Sequence, residues 1–316
     1  MKKLIVASPR GFCAGVDRAV ETTKKTLEIF GAPVYVKHAI VHNVTVVHDL
    51  EEQGAITVET VKEIPEGSVV VFSAHGSKPE EYEWAKKQNL TVIDATCPLV
   101  TKVHLEVHRF VKMGYAIVYI GHKGHIEGEG VRAEGKKYNI DIPLVESVHD
   151  VEVLPDMEGK CMYLTQTTLS VSETTVIIEA LRKRFPQIEA PPKEDICYAT
   201  TNRQQAVRDI ARQSDVVLVV GSRTSSNSNR LCETARGEGV RSHLIDRAID
   251  IKEDWFEEND QVVGLSAGAS APEHVVQEVV EYFRKKGLVI EESRSLEENM
   301  HFSLPLELQK KLEKHT

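Results

Sequence analysis

The sequence of 316 residues holds no apolar run approaching the ~20 residues of a membrane-spanning helix. It has no excess of basic charge. Lys and Arg number 39 against 48 Asp and Glu, a net charge of −9 with neutral His. That argues against general nucleic-acid binding, which needs a basic face to displace counterions, and it leaves no polybasic membrane signal. There is no CxxC pair, which disfavours a zinc ribbon, a thioredoxin motif or a ferredoxin run. No GxGxxG follows a strand-like run and no GxxxxGKS/T occurs, so neither a dinucleotide nor an ATP fingerprint is present. The N-terminal MKKLIVASPRGFCAG is not expected to act as an export signal, because Leu4–Ala7 is too short an apolar stretch and Pro9 and Arg10 end it. What remains is ordinary globular composition, 41% apolar before its 19 glycines are added. The expectation is a cytoplasmic chain of two or three domains at ~100–200 residues each.

Cysteine is sparse and odd in number: Cys13, Cys97, Cys161, Cys197 and Cys232. A disulfide framework is therefore disfavoured. Cys161 (GKCMYLT) starts a strand-like run and Cys232 (NRLCETA) lies in a helix-like one, so both read as small buried hydrophobes.

The other three cysteines have settings that repeat. Each follows a short apolar run and precedes a helix-like one: LIVASPRGFCAGVDRAVETTKKTLEIFG, TVIDATCPLVTKVHLEVHRFVKMG and DICYATTNRQQAVRDIARQSD. The helices rest on apolar spacing, with Val16, Ala19, Val20 and Leu27 in the first and Val100, Val103, Val107 and Val111 in the second. A β-rich run follows each: APVYVKHAIVHN, YAIVYIGHKGHIE and VVLVVGSRTSSNSN. Their continuity suits parallel strands buried on both faces. Each ends in a polar cluster, and the steps from Cys13 to His42, Cys97 to His125 and Cys197 to Asn227 are 29, 28 and 30 positions. A second strand-like run then ends in small polar residues, VVVFSAHGSKPEE, CMYLTQTTLSVSE and VVGLSAGASAPEH, before a further helix. Its markers are His75, Thr167 and Ser270, at 62, 70 and 73 positions past their cysteines. Alternation alone is expected of any α/β protein. A cysteine and two polar clusters recurring in one order is not.

The expected fold is therefore α/β, three parallel α/β units related by a pseudo-threefold axis. Ligands of open parallel sheets bind beyond the carboxyl ends of the strands, so three cysteines and six polar clusters would converge on a central cavity. Unit 1 is expected at 14–96, unit 2 at 97–194 and unit 3 at 195–286, completed by the N-terminal strand 1–13. The tail 287–316 reads as a charged strap. Three convergent thiolates need a positive partner, and thiolates select zinc or an iron–sulfur cluster. Zinc would take a fourth ligand, or leave a position open for catalysis. In Cys97-Pro98 the proline removes an N–H and stiffens the turn.

The segments PRGFCAGVDRA, HAIVHN, FSAHGS, DATCPLVTKVH, GHKGHIEGEG, TQTTLSV, DICYATTNRQ, GSRTSSNSNR and SAGASAP, in that order from about Leu4 to Pro272, closely resemble the LytB/IspH family. The tail carries little of the resemblance. The family comprises 4-hydroxy-3-methylbut-2-enyl diphosphate reductases, the last enzyme of the non-mevalonate isoprenoid pathway. The resemblance implies a trefoil around a [4Fe–4S] cluster with three Cys ligands and one open iron. It implies a two-electron, two-proton reductive dehydroxylation of an allylic diphosphate, giving isopentenyl and dimethylallyl diphosphate. By the same resemblance Cys13, Cys97 and Cys197 are the cluster ligands, Glu127 is the proton donor and Thr167 is a hydroxyl relay. His42, His75, His125, Ser225, Ser226, Asn227 and Ser270 bind the diphosphate. Glu129 competes with Glu127 by residue type and reads as solvated. Thr168 is easily confused with Thr167.

The remaining features read plainly. His104 and His108 in HLEVH lack the HExxH order of zinc proteases and are expected to face solvent. SSNSN reads as a flexible loop and EEND as a solvated turn. With no flavin or nicotinamide motif, reduced ferredoxin or flavodoxin is implied as electron donor, and a monomer is expected. Two other functions are set against this one. The first is a zinc-dependent hydrolase or lyase of a phosphorylated small molecule. The second is a non-catalytic ligand-binding protein with a redox cluster.

Overall fold

A computed structural model describes residues 1–315. Strand β1 (Lys3–Ser8) leads through the Cys13 turn into helix α1 (Ala14–Phe30). Then come β2 (Val34–Lys37), α2 (Val44–Glu51), β3 (Ala55–Val58), β4 (Val69–Phe72), α3 (Pro79–Lys87) and β5 (Thr91–Asp94). After Cys97 follow α4 (Pro98–Lys112), β6 (Ala116–Ile120), α5 (Ile126–Lys136), β7 (Leu144–Val145), α6 (Val148–Val153), β8 (Cys161–Thr165), α7 (Val171–Arg184) and β9 (Ile188–Glu189). After Cys197 follow α8 (Tyr198–Ala211), β10 (Val216–Val220), α9 (Ser226–Gly237), β11 (Arg241–Ile245), β12 (Val262–Ala267), α10 (Glu273–Lys285), β13 (Val289–Arg294) and α11 (Leu306–His315).

The strands form three parallel sheets, with orders β3-β2-β4-β5, β7-β6-β8-β9 and β11-β10-β12-β1-β13. This is a mixed α/β fold with three sheet-bearing units. The strand before Cys97 is the edge of the first sheet and the strand before Cys197 the edge of the second. β1, before Cys13, pairs with β12, whose other neighbour is β10. The central strands are buried along their whole length in β8 and β10, which is why their sequences are unbroken apolar runs.

The chain divides into two compact units. One comprises Met1–Asp17, Val41–Asp49 and Tyr198–His301 and carries the five-stranded sheet. Its core lies on both faces: Leu4, Val6, Leu218 and Leu265 pack with Val276 and Phe283 of α10, while Ile5, Val217 and Val219 pack with Val207 and Ile210 of α8 and Leu231 of α9. The other comprises Arg18–Ile40, Leu50–Cys197 and the chain from Phe302 onward, and carries both four-stranded sheets. Around its second sheet, Val103 and Val107 of α4 pack with Tyr119 and Leu164 on one face, and Ile177 and Leu181 of α7 with Val118 and Tyr163 on the other.

Helix starts follow local chemistry. Pro79 and Pro98 occupy the first turns of α3 and α4, where a missing N–H costs nothing. Ser170 and Ser225 cap α7 and α9 by accepting from Glu173 N at 3.4 Å and Ser228 N at 3.2 Å.

Four local expectations change. Only Val34–Lys37 of APVYVKHAIVHN is strand. SSNSN is the capped start of α9, with Asn227 and Ser228 buried, rather than a flexible loop. In EEND, Asp260 is buried and accepts from Arg241 Nη2 at 2.6 Å. The tail supplies an edge strand: β13 pairs with β1 from Lys3↔Val289 to Ser8↔Arg294.

Candidate active site

The three repeat cysteines occupy equivalent turns. Each lies between a strand and a helix start and donates its backbone N–H to a carbonyl of the turn that follows the neighbouring strand. Cys97 N reaches Ala74 O at 3.0 Å, Cys197 N reaches Thr167 O at 3.0 Å and Cys13 N reaches Ala269 O at 3.3 Å. All three are half-buried, and none is in a disulfide. Cys161 and Cys232 are buried in the core instead, and burial pushes the Cys232 thiol up to about 11. Only the first three have the exposure that a ligating thiolate needs.

In the unit holding Cys97 and Cys197, the polar clusters lie at strand ends and helix starts. His125 sits at the N-cap of α5 and its ring centroid is 6.3 Å from that of His75, nearly perpendicular to it. Ser73 Oγ lies 3.3 Å from His75 Nδ1. Glu127, in the first turn of α5, is buried at 2% exposure. Thr167 N donates to its Oε1 at 2.7 Å and Thr167 Oγ1 to its Oε2 at 2.8 Å. Burial pushes the Glu127 carboxyl up to about 7, although both Thr167 bonds pull the other way. A protonated carboxyl is thus accessible near neutral pH. Thr168 does not share this role: its hydroxyl accepts from Gln166 Nε2 at 2.9 Å. Glu129 points outward and pairs with Lys78 at 2.6 Å.

Tyr119, which the sequence did not mark, fixes where this helix start lies. A Cβ on Gly128 would stand 2.9 Å from the Tyr119 ring, and one on Gly121 would stand 2.6 Å from it. Glycine at both positions lets the phenol ring pack under the turn that carries Glu127.

In the other unit, the Gly268–Ser270 turn gathers the expected donors. Asn227 is buried, accepts from Ala269 N at 2.8 Å and donates to Thr200 Oγ1 at 3.4 Å. Ser270 Oγ donates to the carbonyl of His42 at 2.9 Å. Asn43, beside His42, caps α2 by accepting from Val46 N at 3.1 Å. Ser225 caps α9 and Ser226 opens it. A Cβ on Gly268 would collide with Ser228 Oγ, so glycine is needed for α9 to approach. Tyr198 is a further residue that the sequence did not mark; its hydroxyl accepts from Ala14 N at 3.3 Å, next to Cys13. Nothing but its position after Cys197 signals it.

The structure thus brings Cys97, Cys197, His75, His125, Glu127 and Thr167 together in one unit. It brings Cys13, His42, Ser225, Ser226, Asn227 and Ser270 together in the other. Each set combines at least one cysteine with donors at helix N-termini, which favour anions. Among the described residues, no three His, Cys, Asp or Glu are gathered to hold a single metal ion.

His104 and His108 do not face solvent. α4 packs on α5: His104 Nδ1 hydrogen-bonds the buried Glu134 of α5 at 3.0 Å, and His108 Nε2 lies 3.0 Å from its other oxygen while His108 Nδ1 bonds the Tyr138 hydroxyl at 2.9 Å. They share a cavity of about 340 Å³ with Tyr82, Asp94 and Thr96.

Residues 4–284 match the LytB protein family. The chain is 52% identical to the 4-hydroxy-3-methylbut-2-enyl diphosphate reductase of Haemophilus influenzae (strain PittEE), across 97% of this chain and 98% of that one. It is 49% identical to the enzyme of the same name from Nitrosomonas europaea, across 96% and 97%. The solved reductase from Plasmodium falciparum superposes with a TM-score of 0.95 at 38% identity, covering 99% of both chains. A second solved structure, titled as the terminal enzyme of the non-mevalonate pathway, gives 0.65 at 30% identity over 90% of this chain and 100% of that one.

Proposed function

The chain belongs to the LytB family, and from that premise we propose that it reduces (E)-4-hydroxy-3-methylbut-2-enyl diphosphate to isopentenyl and dimethylallyl diphosphate. The allylic C–O bond breaks, two electrons and two protons enter, and the oxygen leaves as water. The observation that carries the reading is the dry carboxyl of Glu127 held by Thr167, in the same unit as two half-buried cysteines. A poor leaving group needs a proton, and a buried acid with a raised pKa can supply one at neutral pH.

Cys13, Cys97 and Cys197 would hold a [4Fe–4S] cluster with one iron free of protein thiolate. Their fit is that of three accessible thiols at equivalent turns. The bound cluster supplies single electrons and a Lewis-acidic iron for the departing oxygen. Glu127 holds the proton and Thr167 Oγ1 passes it on. His42, His75, His125, Ser225, Ser226, Asn227 and Ser270 bind and orient the diphosphate. Local donors, not net charge, reconcile an acidic chain with an anionic substrate.

The remaining parts of the proposal are a cytoplasmic monomer of three α/β units, 14–96, 97–194 and 195–286, the last completed by 1–13. Reduced ferredoxin or flavodoxin is its electron donor. No described helix is long and apolar enough to cross a membrane.

The test is anaerobic turnover of the allylic diphosphate with dithionite as reductant, alongside iron and acid-labile sulfide per chain. Near-equal iron and sulfide approaching about four of each, with formation of both products, is the expected result. Zinc without sulfide, or a reconstituted cluster without turnover, overturns it.

A further inference from the structure

Each helix that starts at a site cysteine carries a cation shortly after it. Arg18 is five positions past Cys13, Lys102 five past Cys97 and Arg203 six past Cys197. No local sequence pattern marks any of them as functional. Each reaches the turn before the next cysteine in chain order.

Arg18 Nη1 donates to the carbonyl of Thr96, the residue before Cys97, at 2.9 Å. Lys102 Nζ donates to the carbonyls of Lys193 and Glu194 at 2.6 and 3.4 Å and to Asp195 Oδ1 at 2.6 Å, in the turn before Cys197. Arg203 closes the cycle. Its Nε and Nη2 donate to the carbonyl of Gly11 at 3.0 and 2.8 Å, and Nη2 also to that of Phe12 at 3.1 Å, in the turn before Cys13.

The cations are themselves anchored. Arg18 Nε donates to the carbonyl of Ser303 at 2.7 Å. Lys102 also pairs with Glu106 at 3.3 Å. Arg203, wholly buried, donates through Nη1 to Glu298 Oε1 at 3.0 Å and Oε2 at 3.2 Å. A buried arginine is tolerable only when its donors are met, and here most of them are spent on one turn and one carboxylate.

We propose that Arg18, Lys102 and Arg203 are positioning residues that order the cysteine turns for cluster binding, each fixing the cysteine that follows in the cycle 13→97→197→13. The proposal rests on reading those cysteines as ligands. Carbonyls in a turn that ends a strand have no ladder partner, and a cationic donor holds them more firmly than water does. Three ligands from distant parts of the chain must present themselves together, so ordering their turns beforehand removes an entropic cost of binding. The bonded carbonyls lie one to four residues before each cysteine, which places a positive charge on each turn that would carry a thiolate.

The test uses full-length protein carrying Arg18→Met, Lys102→Met or Arg203→Met. Amide hydrogen exchange is followed by peptide on cluster-free protein. Exchange should accelerate about tenfold, as for losing one hydrogen bond to a charged group, in the peptide holding Cys97, Cys197 or Cys13 respectively. The peptides of the other two cysteines should keep the wild-type rate. No acceleration, or equal acceleration at all three, overturns the proposal. If Arg203→Met does not fold, Lys102→Met at its partly exposed position decides, with Lys102→Arg expected to restore the wild-type rate. After reconstitution each Met variant should also shift the cluster's midpoint potential, and unchanged potentials reduce the three cations to structural salt bridges. Iron and sulfide in the wild type judge the ligand reading separately: failure there leaves the exchange pattern standing.

Discussion

Thr167 holds both oxygens of Glu127, one through its backbone N–H at 2.7 Å and the other through its hydroxyl at 2.8 Å. Both bonds favour the carboxylate, yet burial wins and the carboxyl titrates near 7. The two residues therefore set a pH limb. Glu127 is protonated below about 7 and able to donate, so turnover should fall as pH rises through that value. Thr167→Val deletes the hydroxyl that stabilises the charged form. The Glu127 pKa should rise further and the falling limb of the kcat–pH profile should move to higher pH, while kcat itself drops with the relay gone. Glu127→Gln should retain cluster content and substrate binding but lose about 10²–10⁴ in kcat, the usual worth of a general acid. A pH profile of kcat checks both, and a fully active Glu127→Gln enzyme removes the proton-donor role.

The glycine beneath this pair offers a second test. Gly128→Ala would bring a methyl to 2.9 Å from the Tyr119 ring, an overpacking that costs about 1–3 kcal/mol. It should displace the α5 start and so reduce turnover. Adding Tyr119→Leu makes room, and the double variant should recover much of the loss, since contacting residues couple. The Tyr119 hydroxyl is buried with no hydrogen-bond partner among the described residues, so Tyr119→Phe alone should leave stability equal or improved. Urea denaturation of wild type, Gly128→Ala, Tyr119→Leu and the double variant reads the cycle.

Much of the framework was legible because burial on both faces writes continuous apolar strands, as in Val216–Val220, and because the cysteine turns recur at nearly fixed intervals. What stayed hidden has physical causes. β13 is an edge strand with exposed charged side chains, VIEESR, so no apolar pattern betrays it. Thr167 and Thr168 are chemically identical, and only the bonds to Glu127 separate them. His104 is misread as exposed because imidazole is polar, yet it lies four residues past Val100 on the buried stripe of α4, and that spacing was available to find it. Its partner Glu134 lies on another helix, which no local pattern reveals. Arg18, Lys102 and Arg203 look like ordinary helix cations until their acceptors are seen.

Glu134 ties α4 to α5, and its contribution to stability should depend on pH. Burial pushes its carboxyl up, but the bonds from His104 and Lys137 outweigh burial and leave it below the usual range. A depressed carboxyl stabilises the fold above its unfolded value of about 4.3 and loses that contribution as pH falls through the lower folded value. Glu134→Gln should therefore cost about 1–3 kcal/mol at pH 7, and the gap to wild type should narrow in acid. Denaturant unfolding at pH 7 and below pH 4.3 measures it; a gap that widens in acid contradicts the assignment.

The five cysteines should separate cleanly by chemistry. Cys232 lies in the core with its thiol pushed up to about 11, and Cys161 is likewise buried with its thiol raised by burial. Neither is a thiolate at neutral pH, and thiolates are what bind iron. Cys161→Ala and Cys232→Ala should keep the full complement of iron and sulfide, losing only stability as small cavities open. Cys97→Ser should lose the cluster outright, because a hydroxyl is a far poorer soft-metal ligand than a thiolate. Cys13→Ser and Cys197→Ser should behave alike, since all three turns bind their cysteine N–H in the same way. Iron and sulfide per chain after anaerobic reconstitution decide this. Loss of the cluster on replacing Cys161 or Cys232, with the fold intact, would move the ligand set and undo the equivalence of the three turns.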